Sequence, residues 1–104
     1  MNVLDGEPVI EKARFSALLQ GSSTLDAYLQ EHGLDTLIIT GCLTDVCCGS
    51  AARDAMMLNY RAIMVTDANA NAADTDHNAA LTAFYSTFGD IVPTDVLIGL
   101  LTGR

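Results

Sequence analysis

The chain has 104 residues, half of them hydrophobic and 17% charged, which excludes a disordered acidic tail or a low-complexity linker and suits one small domain that hides roughly 65% of its unfolded surface. Thirteen acidic against five basic residues give a net charge of −8, so neither nucleic acid nor an anionic membrane surface is an expected partner. No apolar run approaches the ~18 residues needed to span a bilayer, and Met1-Asn2-Val3-Leu4-Asp5 lacks the basic and apolar regions of a signal peptide.

No repeat or Pro/Gly/Ser-rich linker divides the sequence, so residues 1–104 read as one unit. Residues 8–11 are a weak strand candidate. Ser23 then suits a helix N-cap, with Asp26 three residues on, a stripe of Leu25, Tyr28 and Leu29, and Gly33 as the stop. Residues 36–40 (TLIIT) form a continuous β-rich apolar run, the pattern of a strand covered on both faces. A helix is predicted over 46–59, capped by Asp45. Residues 62–66 (AIMVT) are a second buried strand. The next helix starts at Asp74 or Thr75, carries Leu81, Phe84 and Phe88 on one stripe, and stops at Gly89. Residues 90–92 are a weaker strand, and Pro93-Thr94-Asp95 opens a short helix running to Leu101. Strand and helix alternate, which predicts an α/β fold with parallel pairing through right-handed crossovers.

Three cysteines, Cys42, Cys47 and Cys48, lie within seven positions. An odd, clustered set is no disulfide framework, and a reducing cytosol is the expected setting. Lys12 is the only lysine. Ligands of open parallel sheets bind at the carboxyl ends of the strands, and residues 41–50 (GCLTDVCCGS) follow the first buried strand there. Cys47 falls in the first turn of the predicted helix, where unpaired N–H groups and the helix dipole favour a thiolate by up to ~2 kcal/mol. A nearby ammonium would add to that. Position alone leaves two readings open, because buried cysteine is also a common small core residue. Cys47 and Cys48 point about 100° apart, so at most one faces a site, and Cys42 is expected to pack at the sheet edge. A metal set of Cys42, Cys47, Cys48 and His77 lacks paired C-x-x-C or H-x-x-x-H spacing. His77, in a first helical turn, reads as a capping or surface residue that lies toward the same end of the sheet. Cys47 and Arg53 have the C-x5-R spacing of cysteine phosphatases, but the glycine is misplaced and residues 50–55 read as ordinary helix. There is no G-x-G-x-x-G and no G-x-x-x-x-G-K-[ST], so no nucleotide site is indicated.

Gly41-Cys42-Leu43-Thr44-Asp45-Val46-Cys47 with Ala51-Ala52-Arg53-Asp54-Ala55 resembles the nucleophile segment of the isochorismatase-like cysteine hydrolases, a family of nicotinamidases, N-carbamoylsarcosine amidase and ureido-group hydrolases. Lys12-Ala13-Arg14-Phe15-Ser16-Ala17 resembles its lysine segment. Val65-Thr66-Asp67-Ala68, His77 to Leu81, and Phe88-Gly89-Asp90 match as well. The resemblance implies a Rossmann-like three-layer sandwich with a mainly parallel sheet. It implies Cys47 as nucleophile, Lys12 as stabiliser of the thiolate, and the backbone N–H groups of Leu43 and Cys47 as the oxyanion hole. It also implies an uncommon cis peptide at Cys42–Leu43. The substrate would be a small amide or ureido compound, with no cofactor, and the chain is expected to form a homo-oligomer.

One departure stands out. The family's aspartate lies at the end of an N-terminal strand, in a segment like L-L-V-I-D-x-Q, and Asp5 is no counterpart. The chain is therefore expected to be the C-terminal part of the domain, lacking the N-terminal strand and leaving the 36–40 strand with an open edge. The family's metal-binding residues, where present, also belong to the part not seen, so no metal is expected. Two alternatives stay beside the hydrolase reading. One is a catalytically inactive remnant or interaction module of the same fold, and the other is a cysteine phosphatase.

Overall fold

The computed structural model describes residues 2–103. In chain order it has α1 (Leu25–Glu31), β1 (Thr36–Cys42), a wide turn (Thr44–Cys48), α2 (Gly49–Met57), β2 (Arg61–Ala70), α3 (Asp74–Thr87), β3 (Asp90–Val92) and α4 (Thr94–Thr102). The strands form one sheet in the order β1-β2-β3, and both pairs are parallel. Ser23 Oγ accepts the Leu25 N–H at 3.1 Å, closing the start of α1 as a cap does.

The core lies on one face of the sheet. Leu37 and Ile39 of β1 pair with Ala62 and Met64 of β2 and meet Leu29 of α1, Ala52 and Ala55 of α2, and Leu81 and Phe84 of α3. On the other face α4 packs against β2 and buries Leu97. Both faces of β2 are thus covered, as its unbroken apolar run predicts. The same expectation fails for β1. Thr36, Ile38 and Thr40 are exposed, Ile38 to 42%, and β1 is an edge strand, bonded to β2 alone.

Residues 8–11 are a second correction, for they join no strand. A β-rich run gains a ladder only where a neighbouring strand offers one. The backbone after them closes a loop instead, with the Ala13 N–H donating to Ser22 O at 2.8 Å.

β2 runs four residues beyond its predicted end. Ile39 pairs with Met64 and Gly41 with Asn69, so two steps along β1 match five along β2. The Asn69 side chain spans this bulge. Its Nδ2 donates to Ile39 O at 2.9 Å and to Val65 O at 2.7 Å, supplying bonds that the backbone ladder cannot make there.

Asp67 leaves the same bulge to cap α4. Its Oδ1 accepts the Thr94 hydroxyl at 2.6 Å and the Thr94 N–H at 2.9 Å. These bonds, the hydroxyl's first, hold the Asp67 carboxyl below the usual carboxylate range. A lowered folded value means the stabilisation is fully present above the ordinary value near ~3.9 and is lost as pH falls through the folded value. Urea unfolding of wild type and Asp67→Ala should therefore differ at pH 6, and the gap should shrink as pH falls below the ordinary carboxylate range. A gap that stays constant with pH would show that the cap carries no charge-dependent stabilisation.

Candidate functional site

The site forms beyond the carboxyl end of β1. Leu43 follows a cis peptide with Cys42, at the bond that the resemblance implies. The Leu43 carbonyl accepts the N–H groups of both Val46 and Cys48, each at 3.2 Å. This is a wider turn than the α-helix predicted from residue 46. Asp45 makes no side-chain cap. Its N–H instead donates to Asn71 Oδ1 at 3.4 Å. α2 begins only at Gly49, where a Cβ would sit 2.7 Å from the Thr44 carbonyl oxygen. A side chain there would push the turn off the helix.

The three thiols are free and differ in environment. Cys42 is exposed, Cys47 half-buried and Cys48 buried. Cys42 is thus no packing residue, because the chain leaves the sheet there. Burial pushes the Cys48 thiol up from its ordinary value. Cys47 and then Cys42 add to the rise, and Lys12 opposes it.

Lys12 comes to this turn from 35 positions upstream. Its Nζ donates to Arg14 O at 3.0 Å and Phe15 O at 3.2 Å, and lies 3.8 Å from Cys47 Sγ. The loop thus curls round its own ammonium and presents it to the half-buried thiol. A cavity of about 350 Å³ opens on the same segment, lined by Lys12, Ala13, Arg14 and Phe15. Among the described residues the one ion pair is Arg61–Asp90, at 3.2 Å. No carboxylate among the described residues pairs with Lys12.

His77 is neither a cap nor a surface residue. It is half-buried, with Nδ1 2.7 Å from Thr44 Oγ1 and Nε2 2.9 Å from Thr66 O. Both ring nitrogens are thereby engaged, so His77 supplies no metal ligand beside the cysteines. Among the described residues no group of three or more His, Cys, Asp or Glu stands ready to hold a metal ion. Arg53 lies 5.2 Å over the Phe88 ring, packing α2 on the end of α3 rather than curling over a phosphate. Sequence reading missed Thr44 and Asn71. The only signal for Thr44 was its place between the cis bond and Cys47.

A parallel α/β sheet with a thiol and an ammonium brought together beyond a strand's carboxyl end is the class of protein that this structure defines. Residues 1–96 match the isochorismatase domain, and the chain belongs to that family. It is 43% identical over 63 residues to a ureidoacrylate amidohydrolase, RutB, of Variovorax paradoxus, covering 61% of this chain and 24% of that protein. It is 30% identical over 98 residues to nicotinamidase 3 of Arabidopsis thaliana, covering 94% and 48%. The fold is similar to that of an isochorismatase-like hydrolase from Alkaliphilus metalliredigens, with a TM-score of 0.90 and 31% identity over 97% of this chain and 54% of that one. The chain thus spans less than half the length of these two curated relatives and about half of the solved one.

Proposed function

We propose that the protein is a cysteine hydrolase that cleaves an amide or ureido C–N bond of a small molecule. The observation that carries this reading is the Lys12 ammonium 3.8 Å from Cys47 Sγ, in a family whose named relatives include a ureidoacrylate amidohydrolase and a nicotinamidase. The Cys47 thiolate attacks the carbonyl carbon, and the carbonyl oxygen takes up the electron pair. Backbone N–H groups of Leu43 and Cys47 hold that oxyanion. The C–N bond then breaks, the nitrogen leaves with a proton as ammonia or amine, and a thioester remains on Cys47. Water attacks the thioester, releasing the acid, the thiolate and one proton, which balances the proton taken up by the departing nitrogen. In the free enzyme and as the thioester breaks down, Lys12 favours the anionic sulfur electrostatically.

The departing nitrogen needs a proton donor, and no carboxylate contacts Lys12 or Cys47 among the described residues. That observation supports the second reading, an inactive form or interaction module of the same fold. The hydrolase reading makes the protein a cytosolic oligomer, supported by its three free thiols and by Val96, Ile98, Leu100 and Leu101, which α4 leaves exposed.

Ammonia release from nicotinamide and from ureidoacrylate separates the two readings. Release by the wild-type chain should fall at least about 10³-fold in Cys47→Ser. No release from either compound would overturn hydrolysis by this chain and favour the second reading. Equal release by wild type and variant would overturn Cys47 as nucleophile.

A further inference from the structure

We infer that His77 is a positioning residue for the Cys47 site, acting through the hydroxyl of Thr44. The hydrogen-bond chemistry permits one arrangement that satisfies every atom. The Thr66 carbonyl only accepts, so His77 Nε2, at 2.9 Å, carries a proton and donates. In a neutral imidazole Nδ1 is then an acceptor, and the Thr44 hydroxyl, at 2.7 Å, donates to it. Thr44 is 0% exposed, so water cannot replace that acceptor. Losing it leaves a buried hydroxyl unpaired, a loss larger than that of an exposed hydrogen bond.

The location gives this bond a consequence for the site. Thr44 directly follows Leu43 and stands three residues before Cys47, in the first position of the wide turn. Its backbone lies between the two N–H groups assigned above to the oxyanion. His77 ties this turn to Thr66 within β2, and the bond from Asp45 N–H to Asn71 Oδ1 is a second tie to the chain after β2. With the first tie cut, the turn is free to shift on α2, and Cys47 Sγ moves relative to Lys12 Nζ. Displacements of about 1 Å in such sites cost on the order of 10² in rate. The inference rests on the hydrolase reading only for its link to turnover, since the geometry of the thiol–ammonium pair is measurable without a substrate.

The test is the iodoacetamide alkylation rate of Cys47 relative to Cys42, read by mass spectrometry on the native chain. The variants are Thr44→Val, His77→Leu, their double, His77→Gln and Thr44→Ser, with urea unfolding measured in parallel. The Gln amide offers one donor and one acceptor, and Thr44→Ser keeps the hydroxyl. Thr44→Val and His77→Leu should each lower the Cys47 rate toward that of Cys42, by up to the about tenfold that the ammonium supplies, and the double should be no worse than either single. His77→Gln and Thr44→Ser should recover the rate to within about threefold of wild type. Unchanged Cys47 rates in folded variants, multiplying effects in the double, or no recovery by either conservative change would overturn the inference. If His77→Leu fails to fold, the contrast between Thr44→Ser and Thr44→Val decides it. Absence of ammonia release by wild type bears only on the hydrolase reading and leaves this comparison intact.

Discussion

At pH 7 iodoacetamide should modify Cys47 about tenfold faster than Cys42, and Cys48 on the order of a hundredfold slower than Cys42. The first difference comes from charge. A positive group 3.8 Å from sulfur stabilises a thiolate by about 1 kcal/mol in water and up to about 4 kcal/mol in a partly shielded site. Lys12 is exposed and Cys47 half-buried, so the effect belongs near the lower end, and about 1.4 kcal/mol is tenfold. The second difference comes from access and protonation. Cys48 is 6% exposed, and burial holds its proton more tightly. A raised value means that its thiolate appears later as pH rises, so the gap between Cys48 and Cys42 should narrow in alkaline buffer. Lys12→Gln removes the charge while keeping a donor for the Arg14 and Phe15 carbonyls, and should bring Cys47 down to the rate of Cys42. If Cys47 starts no faster than Cys42, or ignores the loss of the charge, the ammonium does not act on this thiol.

Phe84→Ala should cost about 3–5 kcal/mol, close to the whole stability of a small domain. The Phe84 side chain is 1% exposed and is the largest of the fully buried ones. Its ring packs in the core with Met64 and also lies against the backbone of Gly89. A Cβ on Gly89 would collide with the Ala62 carbonyl oxygen and stand 2.8 Å from the Phe84 ring. Gly89→Ala should therefore be destabilising as well, by about 1–3 kcal/mol or more. The two positions share that contact, so Phe84→Leu combined with Gly89→Ala should fall short of additivity in urea unfolding. Full rescue is not expected, because the clash with the Ala62 carbonyl persists. Strict additivity would show that Phe84 and Gly89 do not press on one another.

The buried strand β2 and the long helix α3 are legible because their signals are local. The run 62–66 has no polar break, and Leu81, Phe84 and Phe88 recur at helical spacing; both patterns reflect burial directly. What escaped depended on partners far along the chain. Asp67 to Ala70 have little β propensity and stay in the sheet through the side-chain amide of Asn69. Residues 8–11 looked like a strand, but strand formation requires a neighbour, which no local pattern encodes. The start of α2 was misplaced because the wide turn is set by the Leu43 carbonyl and by the space that Gly49 leaves, rather than by Asp45. At the site, Cys47 and Lys12 were singled out through their matching segments, and the structure brings them together. His77 reads from sequence as a capping or surface residue or as a fourth metal ligand, and neither reading points to the turn. Its bond to a buried threonine hydroxyl 33 positions away is invisible in a single sequence, because neither residue type is diagnostic.

Lys12 and Cys47 are 35 positions apart, and Thr44 and His77 are 33 apart. A chain growing at ~5–20 residues per second takes about 2–7 s to extend from Thr44 to His77. Over that interval the ammonium and the thiol both exist, but the helix that braces the turn between them has not been made. Each contact must also close a loop of more than thirty residues, which carries an entropic penalty that short-range turns avoid. The thiol–ammonium pair is therefore no property of a peptide segment. It arises only once α3 is in place, and a nascent polypeptide that stops short of His77 carries the same cysteine without its setting.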